Sequence, residues 1–146
     1  MLVLGTMPSP KSREVGFYYG HAQNRFWPVL AALFDAPVPT TNEERTHLVL
    51  DHGIALWDVL AACDIEGASD TSIAHAQPND LSRVLDAAPI AHVFTTGTKA
   101  WSLYQRFHAP LYPDLPATPL PSTSAANARM RTHDLTCAYR TILDVI

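Results

Sequence analysis

The stretch IAHVFTTGTKAWSLYQRF, residues 90 to 107, decides the class of fold. Ile90–Thr95 is rich in branched and aromatic residues and reads as a strand, Gly97 breaks it, and Lys99–Phe107 spaces its apolar side chains as a helix does. The same alternation extends in both directions. Leu2–Leu4 is a short buried strand stopped by Gly5, Ile54–Leu60 a second strand, and Leu115–Leu120 an extended segment whose prolines confine it to a sheet edge. Between them lie helical segments. Asn24 can cap a helix over Arg25–Phe34, where Pro28 falls in the first turn and its missing N–H costs nothing. Thr41 and Glu44 form a capping box for a helix that ends before Gly53, a short helix covers Asp80–Ala87, and a last one runs from His133 to Val145. Strands alternating with helices predict an α/β fold, a three-layer α/β/α sandwich around a short, mostly parallel central sheet.

Open sheets of this kind bind ligands at the carboxyl ends of their strands. Three segments leave predicted strand ends there: Gly5–Asn24, Gly97–Lys99 and Pro121–Asn127. The first is long for a connection and carries Gly, Pro, Lys, Arg, Tyr, His and Asn, which points to function. Ala61–Pro78, with Gly67, Ser69, Asp70 and Ser72, reads as an irregular surface connection.

Bulk composition narrows the classes. A chain of 146 residues fits one domain with one core, spanning 1–146. A hydrophobic content of 47% against 16% charged residues favours a packed globule over disorder. The net charge of -4 does not suit a protein that coats a polyphosphate, so any nucleic-acid contact must be local. Lys11, Arg13 and Arg25 form one basic stretch, Arg129 and Arg131 another. Cys63 and Cys137 are too few for a disulfide framework, and the histidines lack ligand spacing, so no metal and no cofactor are expected. No apolar run reaches the roughly 20 residues of a membrane helix, and a cytoplasmic protein without a membrane contact is expected. A strand beginning at the second residue raises the expectation of a truncated or misplaced start.

The long first loop reads GTMPSPKSREVGFYYGHAQNRFW, residues 5 to 27. Together with TTGTKAW at 95 to 101 and LPSTSAANA at 120 to 128, it resembles the uracil-DNA glycosylase superfamily, nearest to its hypoxanthine-DNA glycosylase branch. The three motifs occur in that branch's order and approximate spacing. The resemblance implies a monofunctional DNA glycosylase of base excision repair that acts on deoxyinosine in damaged DNA. Excision of uracil or a mismatched pyrimidine is the alternative, and a damaged-DNA-binding module without turnover is another.

What the resemblance implies can be matched to residue chemistry. A base in a duplex must be flipped into a pocket with a flat apolar wall and polar groups for its edge. Tyr19 stands where the family places a stacking aromatic, whereas Tyr18 reads as packing beneath the loop. Gly5, Met7 and Ser9 would line the opposite side through their backbone, with His21 supporting the loop or the leaving base and Asp58 reading the base edge from the pocket floor. Many superfamily members carry Asn or Asp just after the first strand to position water, and this chain has Thr6 and Met7 there. In the branch it resembles, the Asn of the NRFW stretch takes that task, here Asn24, which by itself would read as a helix cap. Its carbonyl can orient a water and its NH₂ can donate to a base. Ser122, Thr123, Ser124, Asn127 and Arg129 would hold phosphates flanking the lesion, with Lys99 at a helix N-terminus adding an anion site. An enzyme that wraps one lesion is expected to work as a monomer.

Overall fold

The computed structural model describes residues 1–66 and 72–146. Its centre is a four-stranded, wholly parallel sheet of β1 (Leu2–Gly5), β2 (Ala55–Asp58), β5 (Val93–Thr96) and β6 (Ala117–Leu120), in the order β2-β1-β5-β6. Outside the sheet, β3 (Leu60–Asp64) and β4 (Ala74–Pro78) form an antiparallel pair. The helices are α1 (Pro10–Val15), α2 (Phe26–Leu33), α3 (Asn42–Asp51), α4 (Ser82–Leu85), α5 (Thr98–Phe107) and α6 (Thr132–Tyr139), the last continued by a 3₁₀ turn over Arg140–Asp144.

Period-two alternation assigns each strand residue to one of two cores. Val3 and Phe94 face α2, α3 and α6, packing with Phe26, Leu30, Val49, Leu135 and Tyr139. Leu2, Leu4 and Val93 face the other way, against Leu60, Leu81, Ala100, Leu103 and Tyr104. Both faces of a parallel sheet are thus covered, as its buried ladder requires. The expected α/β/α sandwich is the observed fold, with every central strand parallel. As expected, β6 lies at the edge, where Pro119, opposite Thr95, needs no partner on its outer side.

Three local readings differ. The first loop contains α1, started by Ser9, whose hydroxyl accepts the Ser12 N–H, with Pro10 opening the first turn and Gly16 closing it in the left-handed conformation at φ 74°. Ser, Pro and Gly at those positions are the signals of a short helix, and they were readable. The expected strand over Ile54–Leu60 breaks at Val59, whose N–H donates to the Gly5 carbonyl while the chain turns out of the sheet into β3. Part of the expected irregular connection is therefore the β3–β4 pair, whose alanine-rich strands LAACD and AHAQP carry little strand propensity. Gly67, Ser69 and Asp70 lie outside the described residues. Among the described residues no helix is long and apolar enough to cross a membrane.

Candidate active site

Parallel register brings the ends of three strands level: Gly5 pairs with Asp58, and Leu4 with Thr95 one residue before Thr96. These carboxyl ends form the floor of a cleft of about 760 Å³, inside the roughly 300–1,000 Å³ typical of small-molecule sites. Its walls are the segment Thr6–Ser9, the turn Tyr18–Asn24 and the loop Pro121–Asn127, with Thr98 of α5 at the rim. Of the residues expected at the site, Gly5, Met7, Ser9, Tyr19, His21, Asn24, Asp58, Ser122, Thr123, Ser124 and Asn127 all line this one cleft. Lys99 and Arg129 do not; Lys99 follows Thr98 in the first turn of α5, and Arg129 lies exposed beyond the loop.

Tyr19 sits in the left-handed region at φ 53°. Its ring stacks on Phe26 with centroids 3.9 Å apart and planes at 16°, and its hydroxyl shares a 3.0 Å hydrogen bond with Thr96. The ring is thus held from behind and at its tip, a rigid wall for the cleft. Burial, with the Asp58 carboxyl nearby, raises the Tyr19 hydroxyl pKa well above its ordinary value, so it stays neutral. Tyr18, expected to pack beneath the loop, borders the cleft as well, its carbonyl accepting from Trp27 Nε1 at 3.1 Å.

Asn24 does cap α2, but through its side chain: the Phe26 N–H donates to Asn24 Oδ1 at 2.9 Å, while Arg25 is the backbone cap. The Thr123 hydroxyl donates to the same oxygen at 2.8 Å. Because a backbone N–H needs an acceptor, the amide cannot be turned the other way, and both lone pairs of Oδ1 are spent. What Asn24 offers the cleft is its NH₂.

Arg25 belongs to a basic stretch whose members, taken singly, read as solvated surface charge. Instead its guanidinium donates inward, to the carbonyls of Ser124 at 2.7 Å, Asn127 at 2.9 Å, Thr123 at 3.4 Å and Met130, while its own N–H donates to Thr123 O at 3.0 Å. One side chain adjacent to Asn24 thereby ties down the whole Ser122–Met130 loop. Nothing in sequence spacing marks this, since carbonyls are anonymous. The loop also braces itself: Ser122 Oγ accepts from Ser124 N, Ser124 Oγ from Ala126 N, and Asn127 Nδ2 donates to Ser122 O. The two serine hydroxyls keep their own protons free to donate. Thr123, expected with them as a phosphate contact, is 1% exposed and its proton goes to Asn24, so it supports the amide instead. From α6, Tyr139 donates to Pro121 O at 2.7 Å and fixes the start of the loop.

On the opposite wall, the carbonyls of Gly5 and Thr6 accept from Val59 and Leu60, and that of Ser9 accepts from Arg13, so this segment presents amides rather than acceptors; among the described residues, the amides of Met7 and Ser9 donate to no acceptor. Ser9 spends its hydroxyl on α1, and Met7 receives the Cys63 thiol at 3.1 Å. His21 Nδ1 accepts from Gln23 N, the supporting role considered for it, with the exposed ring still bordering the cleft. Among the described residues, the amides of Thr98 and Lys99 at the start of α5 have no acceptor, and Thr98 faces the cleft. Asp58 on the floor is 6% exposed, and burial pushes its carboxyl up to about 7 against the pull of Arg13.

The family model of the uracil DNA glycosylase superfamily matches residues 1–143. Two relatives are named hypoxanthine DNA glycosylases. The one from Methanosarcina acetivorans is 30% identical over 131 residues, covering 88% of this chain and 81% of the relative. The one from Methanosarcina barkeri is 34% identical over 90 residues, 61% of this chain, and the match spans little more than half, 57%, of that protein's length. A solution NMR structure of a Methanosarcina acetivorans protein assigned to the uracil DNA glycosylases superposes with a TM-score of 0.78 at 28% identity, covering 97% of this chain and 89% of that one. With its cleft at the strand ends and a family match over nearly its whole length, the chain belongs to the uracil DNA glycosylase superfamily.

Proposed function

We propose that this protein is a monofunctional DNA glycosylase of base excision repair that hydrolyses the N-glycosidic bond of deoxyinosine and releases hypoxanthine. The observation that carries the reading is the Asn24 amide, held by Phe26 and Thr123 so that its NH₂ alone is left for the cleft. The residues after β1 are Thr6 and Met7, which offer no side-chain carboxylate or amide to the cleft; among the described residues, the side-chain amides of the Tyr18–Asn24 wall are those of Asn24 and Gln23. A flipped hypoxanthine stacks on Tyr19, and Asn24 donates to an acceptor on its ring as the bond to the sugar breaks. This favours the donating half of the amide over its water-holding half. Asp58 meets the base edge from the floor.

Flanking phosphates are met by the free hydroxyl protons of Ser122 and Ser124 and by the amides opening α5, with Lys99 and Arg129 adding charge from outside the cleft. The protein works on damaged DNA as a monomer and leaves an abasic site. The names of the Methanosarcina relatives support hypoxanthine as the substrate. The test is alkaline cleavage of end-labelled duplexes carrying one hypoxanthine or one uracil, with wild type and Asn24→Ala. Strand breaks confined to the hypoxanthine duplex and lost in the variant are expected. Breaks at uracil instead would reassign the substrate, and binding without breaks in either duplex would leave a recognition module.

A further inference from the structure

Among the described residues, Asp58 is the buried polar side chain of the cleft that no neighbour hydrogen-bonds; Ser12 and Thr123, the other two, are both bonded. Asp58 closes β2 opposite Gly5, is 6% exposed, and among the described residues no donor bonds either carboxyl oxygen. Its position is built around. A methyl group on Gly5 would come within 2.8 Å of Asp58 Oδ1, so the neighbouring strand keeps a glycine where the carboxyl lies. The groups facing it are the Arg13 guanidinium from α1 and the hydroxyls of Tyr18 and Tyr19 from the turn that follows; β1 contributes no charge. The residue is largely buried but lines the open cleft, so its carboxyl is left for whatever fills that space.

An ionised carboxyl in this place would oppose the chemistry. When a glycosidic bond breaks, its electron pair passes to the base, which then carries negative charge against the cleft floor. In a site shielded from water a carboxylate would repel that charge, and a neutral acid would donate to it. We propose that Asp58 serves the cleft as a neutral carboxylic acid, donating a hydrogen bond to an oxo-bearing nucleobase and stabilising the charge that the base acquires as it departs. Water then adds its oxygen to the sugar carbon and gives its proton to the released base, so Asp58 ends with the proton it began with. The proposal rests on the glycosylase reading above and assigns that site its acid. Burial holds the carboxyl proton to about pH 7, which makes the neutral form available under ordinary conditions.

The experiment is the single-turnover rate of base release from a deoxyinosine duplex, measured from about pH 5.5 to 9 for wild type and Asp58→Asn. The wild-type rate should fall roughly tenfold per pH unit above a midpoint near 7, as loss of one essential proton requires. The variant, whose amide donates at every pH, should be several-fold slower than wild type at pH 6, flat across the range and faster than wild type by pH 9. A wild-type rate unchanged to pH 9, or the same alkaline fall in the variant, overturns the proposal while leaving the glycosylase reading intact. No release of any base overturns both. A carbon-13 titration of the Asp58 carboxyl in wild type guards against a misfolded variant: a midpoint near 7 is expected, and one below about 5 overturns the proposal.

Discussion

The Thr123 hydroxyl donates to Oδ1 of Asn24 at 2.8 Å, joining two residues 99 positions apart. The bond fixes which end of the amide faces the cleft, and Arg25 reinforces it by gripping the carbonyl of the same threonine. Asn24 is thus oriented by a loop it does not belong to.

Thr123→Val removes the hydroxyl at nearly constant volume. Asn24 then keeps only the Phe26 N–H, and the amide can swing. A fall of about tenfold to a hundredfold in the rate of base release is expected, with a stability loss of about 1 kcal/mol. Thr123→Ser, which restores the donor, should recover most of the rate. If valine and serine perform alike in single-turnover release, the hydroxyl has no orienting role.

Arg25→Lys keeps a positive charge but loses the planar fork that reaches several carbonyls at once. The carbonyls of Ser124, Asn127 and Met130 would be left without this donor, and a loss on the order of 2–4 kcal/mol is expected in urea unfolding. Hydrogen exchange at Asn127, whose amide donates to Ser124 O, should accelerate before the sheet opens. Unchanged exchange in the loop would show that it stands without the clamp.

Gly5→Ala places a methyl group 2.8 Å from Asp58 Oδ1 and 3.5 Å from the Tyr19 hydroxyl. The flexible partner is the carboxyl, so the floor of the cleft rearranges while the sheet persists. Base release should fall at least tenfold with a loss of only about 1–2 kcal/mol in stability. An alanine variant with wild-type turnover would mean that Asp58 can move without consequence.

Stability should carry the signature of Asp58 too. Its carboxyl is shifted from 3.8 to about 7, so the folded state holds a proton that the unfolded chain releases. Below about pH 4 the group is protonated in both states and contributes nothing; as pH rises toward 7 the folded state loses ground, by roughly 4 kcal/mol at most. Asp58→Asn removes the titration, so the variant should gain stability relative to wild type at pH 8 compared with pH 4. An equal difference at the two values, measured by urea unfolding, would place the carboxyl in an ordinary, hydrated setting.

The sequence by itself determined the layers and the cleft's location, because both follow from local periodicity. The strands at Leu2–Leu4, Ile54–Leu60 and Ile90–Thr95 are visible in the chain to within two residues of their carboxyl ends. So was Asn24, since capping chemistry and the resemblance of its flanks converge on it. The break at Val59 and the β3–β4 pair were hidden, because the alanine-rich strands are set by pairing rather than by propensity. Only the tertiary structure decided how the site residues divide their work. Thr123 turned from a phosphate contact into a buried support, and Arg25 from a solvated surface charge into a clamp on the loop, because each is defined by a partner about 100 positions away: a side-chain amide for Thr123, backbone carbonyls for Arg25. Backbone carbonyls look alike in every residue, so no pattern of side chains announces which of them will meet an arginine.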